Sequence, residues 1–208
     1  MVSAITVSAW LVGATPIRIV LVMLATLCGQ VAVGWTNEIV DARTDSASGR
    51  TDKPVTRGDV TPRLLGILAT VALALALPLS ILAAGWLGGF AHILAVASAL
   101  AYNVKLSRTV WSWMPYAVSF ALLPFFVLQS APRNLWPTAT LIGLAACIGV
   151  IAHLFNALPD IERDRAARVG GLAVSLGAVR ARILLVGLMF VGGAMLVVTI
   201  VFGWATSA

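Results

Sequence analysis

Long, nearly continuous apolar runs separated by short polar stretches dominate the chain, with none of the two-residue alternation of a membrane β-barrel. A helix that crosses a bilayer needs about 20 mostly apolar residues. Six stretches suit that role: residues 16–36, 64–84, 86–102, 110–130, 136–157 and 183–204. Residues 1–14 are apolar but too short to span, and they lack the basic start and cleavage pattern of a signal peptide. They read as an interfacial helix or the remainder of a first span. The expectation is an all-α, polytopic transmembrane helix bundle of about six full spans plus a short N-terminal apolar segment, a single membrane-embedded domain over residues 1–208.

Composition sharpens this. Hydrophobic types make up 60% of the chain and charged types 11%, with a mean hydropathy of +0.99. Soluble domains carry about 25% charged residues, so a water-soluble globule is excluded. Two cysteines exclude a disulfide scaffold, and both, Cys28 and Cys147, fall mid-span, which argues against a structural disulfide. Twelve of the 14 Lys and Arg lie in the segments after the first, third and fifth spans; only Arg18 and Arg133 lie opposite. The positive-inside rule makes the first side cytoplasmic. The net charge of +6 is then a set of membrane flanks, with no nucleic-acid partner implied. Trp35, Trp86, Trp111, Trp113, Trp136 and Trp204 fall near span ends, as an interfacial belt does.

The acids need a second explanation. Glu38, Asp41, Asp45, Asp52 and Asp59 lie after the first span, and Asp160, Glu162 and Asp164 after the fifth. Asn37, Asp41 and Asp45 recur every four residues, which places them on one helical face, and Asn156, Asp160 and Asp164 repeat the pattern. Both N-x3-D-x3-D motifs end spans of the same direction, so their carboxylates share a side and can converge. Converged carboxylates repel, and Mg2+ relieves that repulsion while binding one or two carboxylates, waters and phosphate oxygens. The pair therefore reads as a metal-bridged diphosphate cradle. Solvated helix ends paired with nearby arginines are the plainer alternative.

Basic residues flank both motifs. Arg50, Lys53 and Arg57 lie in a Gly- and Pro-punctuated loop that could close over a diphosphate, or simply mark topology. Tyr102, Lys105 and Arg108, each three residues apart, end the third span. Lys105 is a candidate for stabilising departing diphosphate, or snorkels to the interface. His153 reads as a packing or hydrogen-bonding group, not a catalyst. Gln30, seven residues inward of Asn37, lines a cavity or bonds a neighbouring helix. Phe120, Phe125, Phe126 and Phe155 suit an apolar tunnel or core packing.

These residues resemble the UbiA superfamily of intramembrane prenyltransferases. The stretch NEIVDARTDSASGRTDKPVTRG is similar to its first aspartate-rich motif and DIERDRAARVGGLAVSLG to its second. AYNVKLSRTVWSWMPYAV resembles the Tyr-led, Lys/Arg-containing loop between them. Glu38 stands where the family shows Asp, Lys105 comes early, and Gly170-Gly171 replaces a glycine-plus-threonine pattern. The family has nine helices, and the spans here resemble its second to seventh.

The resemblance implies a Mg2+-dependent transfer of a prenyl group from a prenyl diphosphate to an aromatic or other lipid-soluble acceptor within the membrane. It implies metal ligation by Asp41, Asp45, Asp160 and Asp164. Asn37, Lys53, Arg57 and Asn156 would bind diphosphate, and Tyr102, Lys105 and Arg108 would act at the reacting bond. A membrane terpene cyclase or a non-catalytic prenyl-diphosphate binder would use the same residues. A transporter is disfavoured, because spans two to six carry almost no charge between their ends.

Overall fold

A computed structural model describes residues 1–47, 54–133 and 135–207. Nine α-helices occur among them: α1 (Val2–Leu11), α2 (Pro16–Ala47), α3 (Pro54–Arg57), α4 (Pro62–Val104), α5 (Trp113–Gln129), α6 (Ala139–Ala157), α7 (Ile161–Ala166), α8 (Leu172–Leu176) and α9 (Ala178–Phe202). Two three-residue strands, β1 (Leu135–Pro137) and β2 (Ala205–Ser207), pair antiparallel with Trp136 opposite Thr206. They tie the end of α9 to the α5–α6 connection.

Four helices, α2, α4, α6 and α9, are long and apolar enough to cross a membrane. The difference from about six spans has two causes. Residues 64–84 and 86–102 form one helical stretch, α4, which leaves helical geometry only at Ala84 and Gly85. The expected span at 110–130 contracts to α5, because a 3-10 turn (Leu106–Arg108) and further turns occupy the residues before Trp113. The backbone at Gly85 (φ 66, ψ −174) is one that only glycine adopts readily. There α4 folds back on itself. Ser80 and His92, 12 residues apart, lie in hydrogen-bond contact at 2.7 Å, where an unbroken helix would separate them by about 18 Å. Residues 62–83 and 86–104 are thus two limbs of a hairpin.

The limbs approach closely because their buried faces are small. Ala69, Ala72, Ala76, Ser80 and Ala83 line the first, and Gly88, Gly89, Ala91 and Ala95 lie on the second. In lipid, helices associate by van der Waals fit and hydrogen bonds, which small residues permit. The second limb packs on α2 through Gly29, beside Val96 and His92, and through the buried Asn103, whose amide donates to the Val33 carbonyl at 2.8 Å. Against α5, Ser98 donates to the Pro115 carbonyl and Ser119 to that of Ala95. Gly149 of α6 lets the Tyr116 carbonyl of α5 sit where a Cβ would be. Cys147 of α6 bonds the Leu188 carbonyl of α9, and neither cysteine is in a disulfide.

The N-terminal segment forms α1, ten residues that pack Ile5 and Ala9 into a cluster with Val22, Ala25, Ala83, Ala84, Leu123 and Phe126. At this end Arg18 donates to the carbonyls of Ser130 and Ala131 at 3.2 and 3.0 Å, a cation satisfying the last carbonyls of α5. The opposite end gathers the C-termini of α2, α4 and α6 and the start of α5.

Candidate active site

A cavity of about 630 Å³ lies between α2, the second limb of α4, α5 and α6. Its polar end is formed by Asn37 and Asp41 of α2, Tyr102 and Asn103 of α4, Tyr116 of α5 and Asn156 of α6. Its walls are apolar: Val33, Ala95, Val96, Phe120, Leu123 and Ala152. Such a lining suits an amphiphile, with most of its polar groups gathered at one end and Gln30, His92 and Ser119 on the remaining wall.

Tyr102 is the meeting point. Its ring lies edge-on to that of Tyr116, with centroids 5.1 Å apart. It is within electrostatic reach of both Asp41 and Asp164. One residue from each acidic motif therefore acts electrostatically on the same phenol, and Asp41 also lines the cavity. Asn37 donates to Asp41 at 3.0 Å, and Asn156 donates to the Tyr116 hydroxyl at 3.2 Å.

The second motif does not continue along one helical face as its spacing predicts. Pro159 has no N–H to extend the ladder of α6, and residues Leu158–Asp160 form a 3-10 turn before α7 starts. Asp160 consequently pairs with Arg163 at 3.0 Å, both partly exposed. Asp164 lies beyond the apolar part of α6. Partial burial pushes its carboxyl up from the ordinary carboxylate value, the charge of Asp160 adds to this, and Arg163 opposes it. A carboxylate crowded in this way is a receptive partner for a cation.

The basic residues sit differently. Helix α4 ends at Val104, so Tyr102, Lys105 and Arg108 share no helical face. Lys105 and Arg108 are exposed and do not line the cavity. Arg57 is exposed and paired with Asp59 at 2.8 Å. Lys53 and the side chain of Asp45 lie outside the described residues. The turn carrying Arg108 is nevertheless docked on the stretch after the second motif. Gly170 packs on the Arg108 carbonyl, and the Leu172 N–H donates to Ser112 Oγ at 3.0 Å. The buried Ser112 also bonds His153 Nε2 at 3.0 Å, so His153 is a hydrogen-bonding group of the scaffold.

Among the described residues no three His, Cys, Asp or Glu side chains form a metal cage. The carboxylates of Asp41, Asp160 and Asp164 are the oxygen donors that could hold Mg2+, which takes few carboxylates and completes its shell with water and phosphate oxygens. Sequence spacing did not single out Tyr116, Asn103 or His92. A signal existed: the chain has two tyrosines and two histidines, and all four lie at or beside this cavity.

The UbiA prenyltransferase family matches residues 1–208. The chain belongs to this family. As a UbiA-family protein it shares its fold with a UbiA homolog from Archaeoglobus fulgidus bound to GPP and Mg2+, at 18% identity and a TM-score of 0.79, covering 92% of this chain and 70% of that one. The same homolog bound to DMAPP and Mg2+ gives 0.78 at 18% identity over the same shares. The apo UbiA homolog from Aeropyrum pernix K1 gives 0.74 at 18% identity, covering 94% of this chain and 75% of that one. No curated protein matches the sequence.

Proposed function

We propose that this UbiA-family protein is a Mg2+-dependent prenyltransferase that moves a prenyl group from a prenyl diphosphate to a lipid-soluble acceptor. The observation that carries the reading is that Tyr102, at the polar end of an apolar cavity also lined by Asp41, lies within electrostatic reach of an aspartate from each motif, Asp41 and Asp164. The fold's likeness to homologs bound to GPP or DMAPP with Mg2+ supports it.

In this reading Asp41, Asp45, Asp160 and Asp164 hold the metal, and Asn37, Asn156, Lys53 and Arg57 bind the diphosphate. Mg2+, when bound, supplies charge stabilisation to the departing diphosphate. The C1–O bond breaks with its electron pair leaving on the diphosphate. A nucleophilic carbon of the acceptor bonds C1 and then loses its proton. The Tyr102 and Tyr116 hydroxyls orient the reacting end, and Lys105 and Arg108, at the edge of the site, attract the anion. Walls such as Phe120 and Leu123 keep water from the electron-poor prenyl carbon.

We also place the protein in the membrane as one domain of six crossings: α2, the two limbs of α4, α5, α6 and α9. The acidic motifs face the cytoplasm, because the basic residues flank those same ends.

The test is purified protein with geranyl diphosphate and a panel of aromatic acceptors. Diphosphate release that requires Mg2+ and falls at least a hundredfold in Asp41→Ala and Asp160→Ala is the expected result. Unchanged turnover in both variants overturns the mechanism. Cyclic products formed without added acceptor would identify a cyclase instead.

A further inference from the structure

The end of the bundle away from the acidic motifs carries two cations and no acid. All eight Asp and Glu lie within residues 38–59 and 160–164, at the other end. The two cations are Arg18 and Arg133, and the positive-inside rule disfavours a cation on that side. Arg18 has a visible reason to be there, since it bonds the carbonyls of Ser130 and Ala131. Arg133 is exposed and makes no ion pair with the described residues.

Arg133 lines a second cavity, of about 710 Å³. Leu11 and Val12 at the end of α1 form one wall, Pro132 and Leu135 of the α5–α6 connection another, and Trp204 after α9 a third. These segments are tied to the frame. The Thr138 N–H donates to the Trp204 carbonyl at 3.3 Å, the Gln129 amide donates to the Leu135 carbonyl at 2.8 Å, and β1 pairs with β2. Gly13 (φ 78) turns the chain out of α1, with its N–H on the Trp10 carbonyl at 3.0 Å. The cavity is therefore built by the fold.

Tryptophans set its depth. Trp10, Trp86, Trp136 and Trp204 all belong to this end and are 39–69% exposed. Exposed indoles gather at the headgroup level of a bilayer. Leu11, 67% exposed, carries the apolar wall of the cavity onto the outer surface.

A cation at headgroup depth beside apolar walls complements one kind of molecule, a phospholipid with a net negative charge. A soluble anion gains nothing from Leu11, Leu135 and Trp204. A zwitterionic lipid brings its own cation, which leaves the charge of Arg133 in surplus. A guanidinium also holds two phosphate oxygens at once.

We propose that this cavity binds one anionic phospholipid, its phosphate on the Arg133 guanidinium and its glycerol and upper acyl chains against Leu11, Val12, Leu135 and Trp204. The site is independent of the prenyl-transfer reading, because it lies at the opposite end of the bundle. A lipid seated there bridges the end of α1, the α5–α6 connection and the end of α9. It binds the folded chain only, so it raises stability by mass action.

The full chain is reconstituted in nanodiscs of phosphatidylcholine, phosphatidylethanolamine or phosphatidylglycerol. Lipid retained on release is counted by native mass spectrometry, and the thermal midpoint is measured in each lipid. Phosphatidylglycerol is expected to be retained over both zwitterionic lipids and to raise the midpoint. Arg133→Gln should weaken that retention about tenfold or more. Leu11→Trp, which fills the cavity and keeps the cation, should weaken it too. Arg182→Gln removes an exposed cation at the opposite end and should leave this lipid bound.

Equal retention of the three lipids overturns the site, as does unchanged retention in Arg133→Gln. Loss in Arg133→Gln with full retention in Leu11→Trp reduces Arg133 to an open surface charge and overturns the cavity as the site. A midpoint raised as far by inorganic phosphate as by phosphatidylglycerol overturns the lipid as its occupant.

Discussion

Asn156 of α6 donates to the phenol oxygen of Tyr116 on α5, 3.2 Å away. Asn37, its counterpart in the first motif, donates instead to Asp41 of its own helix at 3.0 Å. Two motifs that read identically are therefore wired differently. The asparagine of the first bonds within its own helix, and that of the second reaches across to α5.

Tyr116→Phe should expose that wiring. The substitution keeps the ring beside Tyr102 and removes the hydroxyl that accepts from Asn156. With that bond worth about 0.5–1.5 kcal/mol, kcat/KM for a prenyl diphosphate is expected to fall about three- to tenfold. In a double-mutant cycle with Asn156→Ala the losses should be less than additive. Full additivity, measured by steady-state kinetics, would mean the two residues act apart.

The sequence carries the first motif well and the second only in part, and the reason is local. N-x3-D-x3-D specifies a helical face only if the helix continues. In α2 no proline intervenes between Asn37 and Asp45; in the second motif Pro159 does, and a 3-10 turn results. The hairpin of α4 was legible as two apolar runs, because Gly85 between them supplies the bend. Tyr116 was hidden for a different reason. Inside an apolar run one aromatic resembles another, and only the tertiary placement of Tyr102 and Asn156 gives its hydroxyl a meaning. Lys105 and Arg108 show the reverse case: their chemistry stood out, yet the end of α4 at Val104 leaves both at the exposed rim.

Neutralising the acidic residues one at a time separates ligands from bystanders. Asp41→Asn and Asp164→Asn should each raise the Mg2+ concentration needed for half-maximal geranyl diphosphate binding, by about tenfold or more. Charge-assisted contacts of about 1.5–3 kcal/mol are lost in each. Glu162→Gln is the control, since Glu162 is exposed and paired with Arg165 at 3.0 Å. Calorimetric titration with Mg2+ at fixed diphosphate measures the difference. A shift as large in Glu162→Gln as in Asp164→Asn would reduce the effect to bulk charge.

Glycine substitutions test the packing that holds the cavity's shape. Gly149→Ala drives a Cβ into the Tyr116 backbone carbonyl, which α5 cannot move without shifting the site. Overpacking of this kind costs about 1–3 kcal/mol, so the thermal midpoint in detergent should fall. Gly34→Ala is the contrast, because nothing lies within 4 Å of a Cβ there. It should leave the midpoint unchanged or slightly raised, given the better helix propensity of alanine. Equal midpoints for the two variants would contradict the close α5–α6 approach.

Ser112→Ala tests how the segment after the second motif is held. Ser112 is fully buried and joins three parts of the chain: its own position before α5, His153 on α6 and the Leu172 N–H at the start of α8. Alanine fits the space but leaves a buried ring nitrogen without its partner, a loss of about 1–3 kcal/mol, and frees the partly buried Leu172 N–H. That loss falls where few other contacts hold residues 162–172, since Arg163, Arg165 and Arg168 are all exposed. Local opening should therefore outrun global unfolding. Trypsin is expected to cleave after Arg165 and Arg168 several-fold faster in Ser112→Ala than in the parent, with the thermal midpoint moving by only a few degrees. Because Asp160 and Asp164 precede this anchor, the variant should also need more Mg2+ for geranyl diphosphate binding, whereas Ser175→Ala, an exposed serine bonded only to the Leu172 carbonyl, should not. Unchanged cleavage rates would show that Gly170 on the Arg108 carbonyl suffices to dock the segment without Ser112.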